Sequence, residues 1–203
     1  RTSWAKRQAG PSRGKASQAS QGKPSQPSQG KQASQAKARQ ASQARQASQA
    51  APLLEDLYRN LPDAPERVTL IHFWNPDCLC NQVSQRHFDG LIHGFSKQDL
   101  RIIVVAAPTV TEAGLEQFKA LNGDRLEVMR APAGFSVPAS PGLALFSADG
   151  KLGYFGAYGF GALCTVANDD FFPNIVRSLA GEGYGPFVNV AGSGCFCPWP
   201  ANK

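Results

Sequence analysis

The sequence predicts one α/β domain, a central mixed sheet flanked by helices, behind a disordered N-terminal tail. Three observations carry this. The composition changes abruptly near residue 51, apolar strand-like runs then alternate with amphipathic helical ones, and a hairpin signal appears late in that alternation.

The tail comes first. Residues 1–51 are almost wholly Ser, Gln, Ala, Lys, Arg, Gly and Pro, with Ala-Ser-Gln and Pro-Ser-Gln triplets recurring and Trp4 as the sole large apolar side chain. Such a segment has too little apolar surface to offset its ordering entropy and is expected to stay disordered. Of the 21 basic residues of the chain, ten lie in 1–50, together with none of its 15 acidic residues. The net charge of +6 therefore resides in the tail, and the remainder of the chain is net negative. A basic, acid-free tail suits an anionic polymer or lipid surface. Its charges are dispersed and lack aromatic interleaving, which argues against nucleic acid and for a self-repelling linker. No apolar run is long enough to span a bilayer and no signal peptide is visible. The chain begins with Arg1, which leaves room for a removed signal or a membrane tether ahead of it.

Residues 52–185 are enough for one domain with its own core. Leu53 to Asn60 reads as a short helix ending before Pro62. Val68 to Trp74 is rich in β-branched and aromatic residues and reads as a buried strand. Asn75-Pro76-Asp77 breaks it, and a helix with Asp77 as its expected N-cap then runs to about Phe95, with Val83, Phe88, Leu91, Ile92 and Phe95 near one face. Leu100 to Ala106 is a second buried strand, and Glu112 to Leu121 an amphipathic helix stopped by Asn122-Gly123. Leu126 to Arg130 and Gly142 to Phe146 read as further strands. Asp149-Gly150 turns the chain into a last strand, Lys151 to Phe155. Asp169 or Asp170 caps a final helix through Ala180. Residues 186–203 are a Gly- and Pro-rich C-terminal tail. Nothing in the sequence argues for an oligomer, so a monomer is expected.

Four of the five cysteines form two Cys-x-Cys pairs, Cys78 with Cys80 and Cys195 with Cys197. Clustering of this kind favours redox or metal chemistry over scattered structural disulfides, and fits an oxidising compartment such as a bacterial periplasm. The fifth, Cys164, lies in an apolar setting and reads as a buried inert thiol.

The order of elements resembles the thioredoxin fold, and three segments sharpen the likeness. Ile71-His-Phe-Trp74-Asn-Pro-Asp-Cys78 resembles that family's strand ending in Phe-Trp, with its nucleophilic cysteine four residues beyond the Trp. Ser140-Pro141 followed by a short apolar strand resembles its cis-proline segment, and Ser147 to Lys151 its hairpin. A narrower likeness is to bacterial thioredoxin-like domains of unassigned function that end in Gly-Cys-Phe-Cys-Pro-Trp. The chain departs from the family in having Cys-x-Cys rather than Cys-x-x-Cys. By this resemblance Cys78 attacks, Cys80 resolves, and Ser140, Pro141 and Trp74 form the substrate loop and its surroundings.

The start of the helix after Asp77 should stabilise a Cys78 thiolate, while the Asp77 carboxylate opposes it. A bond between Cys78 and Cys80 needs Cys78 outside the helix, because residues two apart on a helix point to nearly opposite sides; such a bond is expected to be strained and oxidising. The second pair admits two readings: a mobile relay folding back on the first, or a structural tie, for example to Cys164.

Three functions follow. The first is a thiol–disulfide oxidoreductase without cofactor, acting on protein thiols or disulfides and on a redox partner protein. The second is a carrier of Cu(I) or Zn(II) on Cys78, Cys80, Cys195 and Cys197, with His72 or His87 nearby. The third is a non-catalytic adaptor whose basic tail is the working part.

Overall fold

The computed structural model describes residues 50–62, 66–138, 140–158, 171–181, 187–189 and 197–200. Residues 1–49 of the expected N-terminal tail, Cys164, Asp169, Asp170 and Cys195 lie outside these residues, and residues 50 and 51, read as the end of that tail, are helical.

Helix α1 occupies residues 50–59. Strand β1 (Val68–Trp74) leads through a tight turn into α2 (Leu79–Gly94), and β2 (Leu100–Ala106) leads into α3 (Glu112–Asn122) and a 3₁₀ turn over Gly123–Arg125. Strands β3 (Glu127–Arg130), β4 (Gly142–Phe146) and β5 (Leu152–Gly156) follow, then α4 (Phe171–Ala180) and β6 (Phe187–Asn189). The sheet order is β3-β2-β1-β4-β5-β6. β1, β2 and β3 run parallel, β4 is antiparallel to β1, and β5 is antiparallel to β4. This is the thioredoxin-like mixed sheet that the sequence predicts.

Every residue of β1, β2, β4 and β5 is buried, as expected of strands covered on both faces. Tyr58 of α1 stacks on Phe146 of β4 at 4.4 Å. On β1, Phe88 of α2 stacks on His72 at 4.2 Å, and Phe172 of α4 meets Tyr154 of β5 at 5.7 Å. These aromatic contacts fix the helices to the sheet, and with them the start of α2.

Two local devices secure this frame. Gly153 is the extra residue where the β4–β5 register shifts, and a Cβ there would lie 2.3 Å from the Leu179 side chain of α4. Glycine lets helix and sheet approach this closely. Arg125 closes the far end of α2: its guanidinium donates to the carbonyls of Ile92, Phe95 and Leu100 at 3.0–3.2 Å. Two of these are carbonyls that the end of a helix leaves without intrahelical partners.

The last strand differs from the sequence expectation. Phe187–Asn189 pairs parallel with β5, within the segment read as tail. Three residues between glycines are too few to display a period-two pattern.

Candidate functional site

The site forms where β1 ends. Asn75 is buried; its Oδ1 accepts the Asp77 N–H at 3.2 Å and its carbonyl accepts the Cys78 N–H at 3.1 Å. This turn presents Cys78 as the N-cap of α2, with extended backbone (φ −89°, ψ 121°) and no side-chain cap. Its sulfur therefore stands at the positive end of the helix dipole, in the place where an oxygen-bearing side chain normally caps.

Cys78 is bonded to Cys197, across 119 residues of chain, with Cα atoms 5.8 Å apart, inside the relaxed range. The link thus joins one member of each Cys-x-Cys pair, and is not the Cys78–Cys80 bond considered from the sequence. Cys78 is only 2 % exposed, whereas Cys197 is half-buried. Cys80 is also buried and is not a free thiol. The three sulfurs lie within 4.8 Å of one another. Between the two cysteines, Leu79 is 81 % exposed, an apolar side chain at the rim of the site.

The opposing wall is the segment Ser140-Pro141, joined by a cis peptide bond. Ser140 is fully buried and its carbonyl oxygen lies 3.5 Å from the Cys78 sulfur. The C-terminal segment enters between them. The Ser140 N–H donates to the Cys197 carbonyl at 2.9 Å, and the Cys197 N–H donates to the Ser140 carbonyl at 2.7 Å. These two bonds make an antiparallel bridge, so residue 197 lies as an added strand along Ser140. Two residues on, Trp199 is 7 % exposed and packs edge-on against Phe73 at 6.1 Å and Phe135 at 6.4 Å.

Cys78, Cys80, Ser140, Pro141 and Cys197 therefore come together. Trp74 adjoins the turn, but its ring lies against Phe118 of α3 at 4.2 Å. It is its neighbour Phe73 that meets the C-terminal segment. The sequence places Phe73 in the Phe-Trp strand end and Trp199 in the Gly-Cys-Phe-Cys-Pro-Trp ending without giving either a contact, and it does not single out Phe135. The signal for Trp199 is a large aromatic ring in a Gly- and Pro-rich tail, directly after Cys197-Pro198.

His72 is turned away from any metal-ligand role. It is buried, shares a hydrogen bond of 2.8 Å with the Tyr158 hydroxyl through Nδ1, and burial pushes its pKa down to about 3. It is a neutral core side chain at ordinary pH. Burial also raises the Tyr158 pKa well above the usual tyrosine value. His87 meets Phe172 edge-on at 6.3 Å. Among the described residues, the potential metal ligands that converge are Cys78, Cys80 and Cys197.

Residues 32–199 match a family described as "Domain of unknown function (DUF6436)". No curated protein matches the chain. Among solved structures, a putative thioredoxin from Neisseria meningitidis is 18 % identical, with 57 % of this chain and 78 % of that chain covered and a TM-score of 0.43. A hypothetical protein from Sinorhizobium meliloti 1021 is 16 % identical, covering 68 % of this chain and 83 % of that one, with a TM-score of 0.49. The dsbF protein of MTB, in mixed oxidized and reduced forms, is 16 % identical over 57 % of this chain and 82 % of its own, with a TM-score of 0.42.

Proposed function

The chain belongs to the DUF6436 family, and from the geometry of its cysteines we propose that it is a thiol–disulfide oxidoreductase in which Cys78 and Cys197 form the working disulfide. The observation that carries this reading is the position of Cys78: an N-cap cysteine, bonded to a residue of a separate C-terminal segment, with a third sulfur within 4.8 Å.

The chemistry follows from asymmetry. Exchange is faster when the attacked sulfur is accessible and the departing thiolate is stabilised. Cys197 is the more exposed residue of the two, and Cys78 would leave as a thiolate at the helix N-terminus. A partner thiolate attacks Cys197 Sγ, forming a mixed disulfide and releasing Cys78. The second thiol of the partner, deprotonated, then attacks the partner sulfur of that mixed disulfide and releases Cys197. The partner dithiol is oxidised to a disulfide and the Cys78–Cys197 disulfide is reduced to two thiols.

A lasting disulfide suits an oxidising compartment. We therefore place the protein on the extracytoplasmic side of a bacterial membrane, with protein thiols as substrates and a redox protein as its partner. Among the described residues no helix is long and apolar enough to cross a membrane.

The test is oxidation of a reduced, unfolded protein in glutathione disulfide buffer. The wild-type chain should accelerate it, and the Cys78→Ser variant should fall to the uncatalysed rate. Equal rates for the two proteins would refute the reading.

One observation favours a second reading. Tetrahedral zinc–thiolate sites hold sulfurs roughly 3.8 Å apart, given bonds of about 2.3 Å, and the three sulfurs here lie within 4.8 Å. In reduced form they could hold Cu(I) or Zn(II). Stoichiometric metal on the reduced chain, together with no acceleration of thiol oxidation, would make metal handling the function.

A further inference from the structure

The C-terminal segment makes three kinds of contact at the site, and each describes a binding position. The bridge between Ser140 and Cys197 uses only backbone atoms, at 2.7 and 2.9 Å, so it accepts any extended chain. The sulfur position beside Cys78 accepts a cysteine. The rings of Phe73 and Phe135 accept an aromatic residue two positions after that cysteine, as Trp199 now does. Pro198 between them is exposed and imposes no side-chain requirement of its own.

Two polar atoms show that this occupant fits the site imperfectly. Ser140 Oγ and Trp199 Nε1 are both buried without a hydrogen-bond partner among the described residues. A buried donor left unpaired weakens the contact that buries it. The aromatic position is thus apolar in character, and an aromatic ring without a polar N–H suits it at least as well.

We propose that Ser140, Phe73 and Phe135 form a recognition site for an extended protein segment bearing a cysteine and an aromatic residue two positions later, and that residues 197–199 occupy this site in cis. The inference rests on the oxidoreductase reading above and gives the reduced Cys78–Cys197 pair a substrate class: Cys78 thiolate attacks the segment's cysteine where it is held in a disulfide, a Cys78–segment disulfide forms, the segment's former partner leaves as a thiolate, and Cys197 thiolate then attacks Cys78 Sγ, releases the segment and recloses the pair. Docking of the segment excludes a competing chain while the disulfide is closed. Opening the disulfide leaves two backbone hydrogen bonds and the Trp199 contact for a substrate to displace.

The test uses the full chain carrying Cys197→Ser and Trp199→Ala, which frees both positions, after reduction and desalting. It is mixed with Gly-Cys-Pro-Trp, Gly-Cys-Pro-Phe and Gly-Cys-Pro-Ala peptides whose cysteine is activated as a mixed disulfide with 5-thio-2-nitrobenzoate. Cys78 thiolate attacks the peptide sulfur, a Cys78–peptide disulfide forms, and the coloured nitrobenzoate thiolate leaves, with no net oxidation. Release from the other cysteines is subtracted with the same chain further carrying Cys78→Ser. The Trp and Phe peptides should react faster than the Ala peptide by on the order of tenfold or more, and Phe135→Ala should remove the preference. Equal rates for the three peptides would overturn the recognition site while leaving Cys78 a reactive thiol. No release attributable to Cys78 would overturn the oxidoreductase reading, and the recognition site with it.

Discussion

Acid should weaken this fold through one side chain. His72 lies in the centre of β1, stacked beneath Phe88 of α2 and hydrogen-bonded to Tyr158. Burial lowers its pKa from 6.5 to about 3. Above pH 6.5 the ring is neutral in both folded and unfolded chains, so it contributes no pH dependence. Below that, the unfolded chain takes up a proton that the folded chain refuses. Stability then falls with falling pH, by about 1.4 kcal/mol per unit, through the window from 6.5 down to about 3. Between pH 6.5 and 4.5 the expected loss is roughly 2–3 kcal/mol. The carboxylates with lowered pKa values, Glu112, Asp124 and Asp149, lose their contributions below their ordinary values of 4.5, 3.8 and 3.8, so they add to the loss below pH 4.5 and leave the range from 6.5 to 4.5 to His72. Urea unfolding at half-unit steps measures the slope, and His72→Phe supplies the control. That variant keeps the stack on Phe88 but leaves the buried Tyr158 hydroxyl unpaired, so it should be less stable at pH 7.5 by about 1–3 kcal/mol, with the slope much reduced. A wild-type stability that stays level from pH 6.5 to 4.5 would show that His72 is not held neutral by burial.

Two further variants test the frame that positions the site. Gly153→Ala forces a methyl group to within 2.3 Å of Leu179, and should destabilise the domain by about 1–3 kcal/mol in urea unfolding, the usual range for overpacking. Arg125→Ala removes three hydrogen bonds to the carbonyls of Ile92, Phe95 and Leu100, and should lower stability by about 1–3 kcal/mol, with hydrogen exchange in the last turn of α2 rising first.

The strands were legible because they are buried on both faces. Val68–Trp74, Leu100–Ala106 and Gly142–Phe146 are continuous apolar runs, and their bounds coincide with those read from sequence. The helix after Asp77 was legible from its spacing, and Asp77 was the expected cap. The structure instead puts Cys78 at that position, because the Asn75 turn is already closed through the Cys78 N–H. What the sequence could not convey was which cysteine meets which. Local spacing sets Cys78 beside Cys80, but the bond to Cys197 closes over 119 residues and depends on where the chain returns after α4. The aromatic position had the same difficulty. Phe73 reads as one more core residue of β1, and its contact with Trp199 exists only once the C-terminal segment lies along Ser140.

The measurement that bears most directly on the account is a redox titration of the Cys78–Cys197 bond in the full chain. Glutathione buffers of graded potential would be read by mass after alkylation and peptide mapping, with far-ultraviolet circular dichroism recorded on the same samples. The bond should open and reclose reversibly under mild reductant while the domain stays folded. A bond that opens only when the domain unfolds would mark Cys197 as a structural tie and contradict the proposed function.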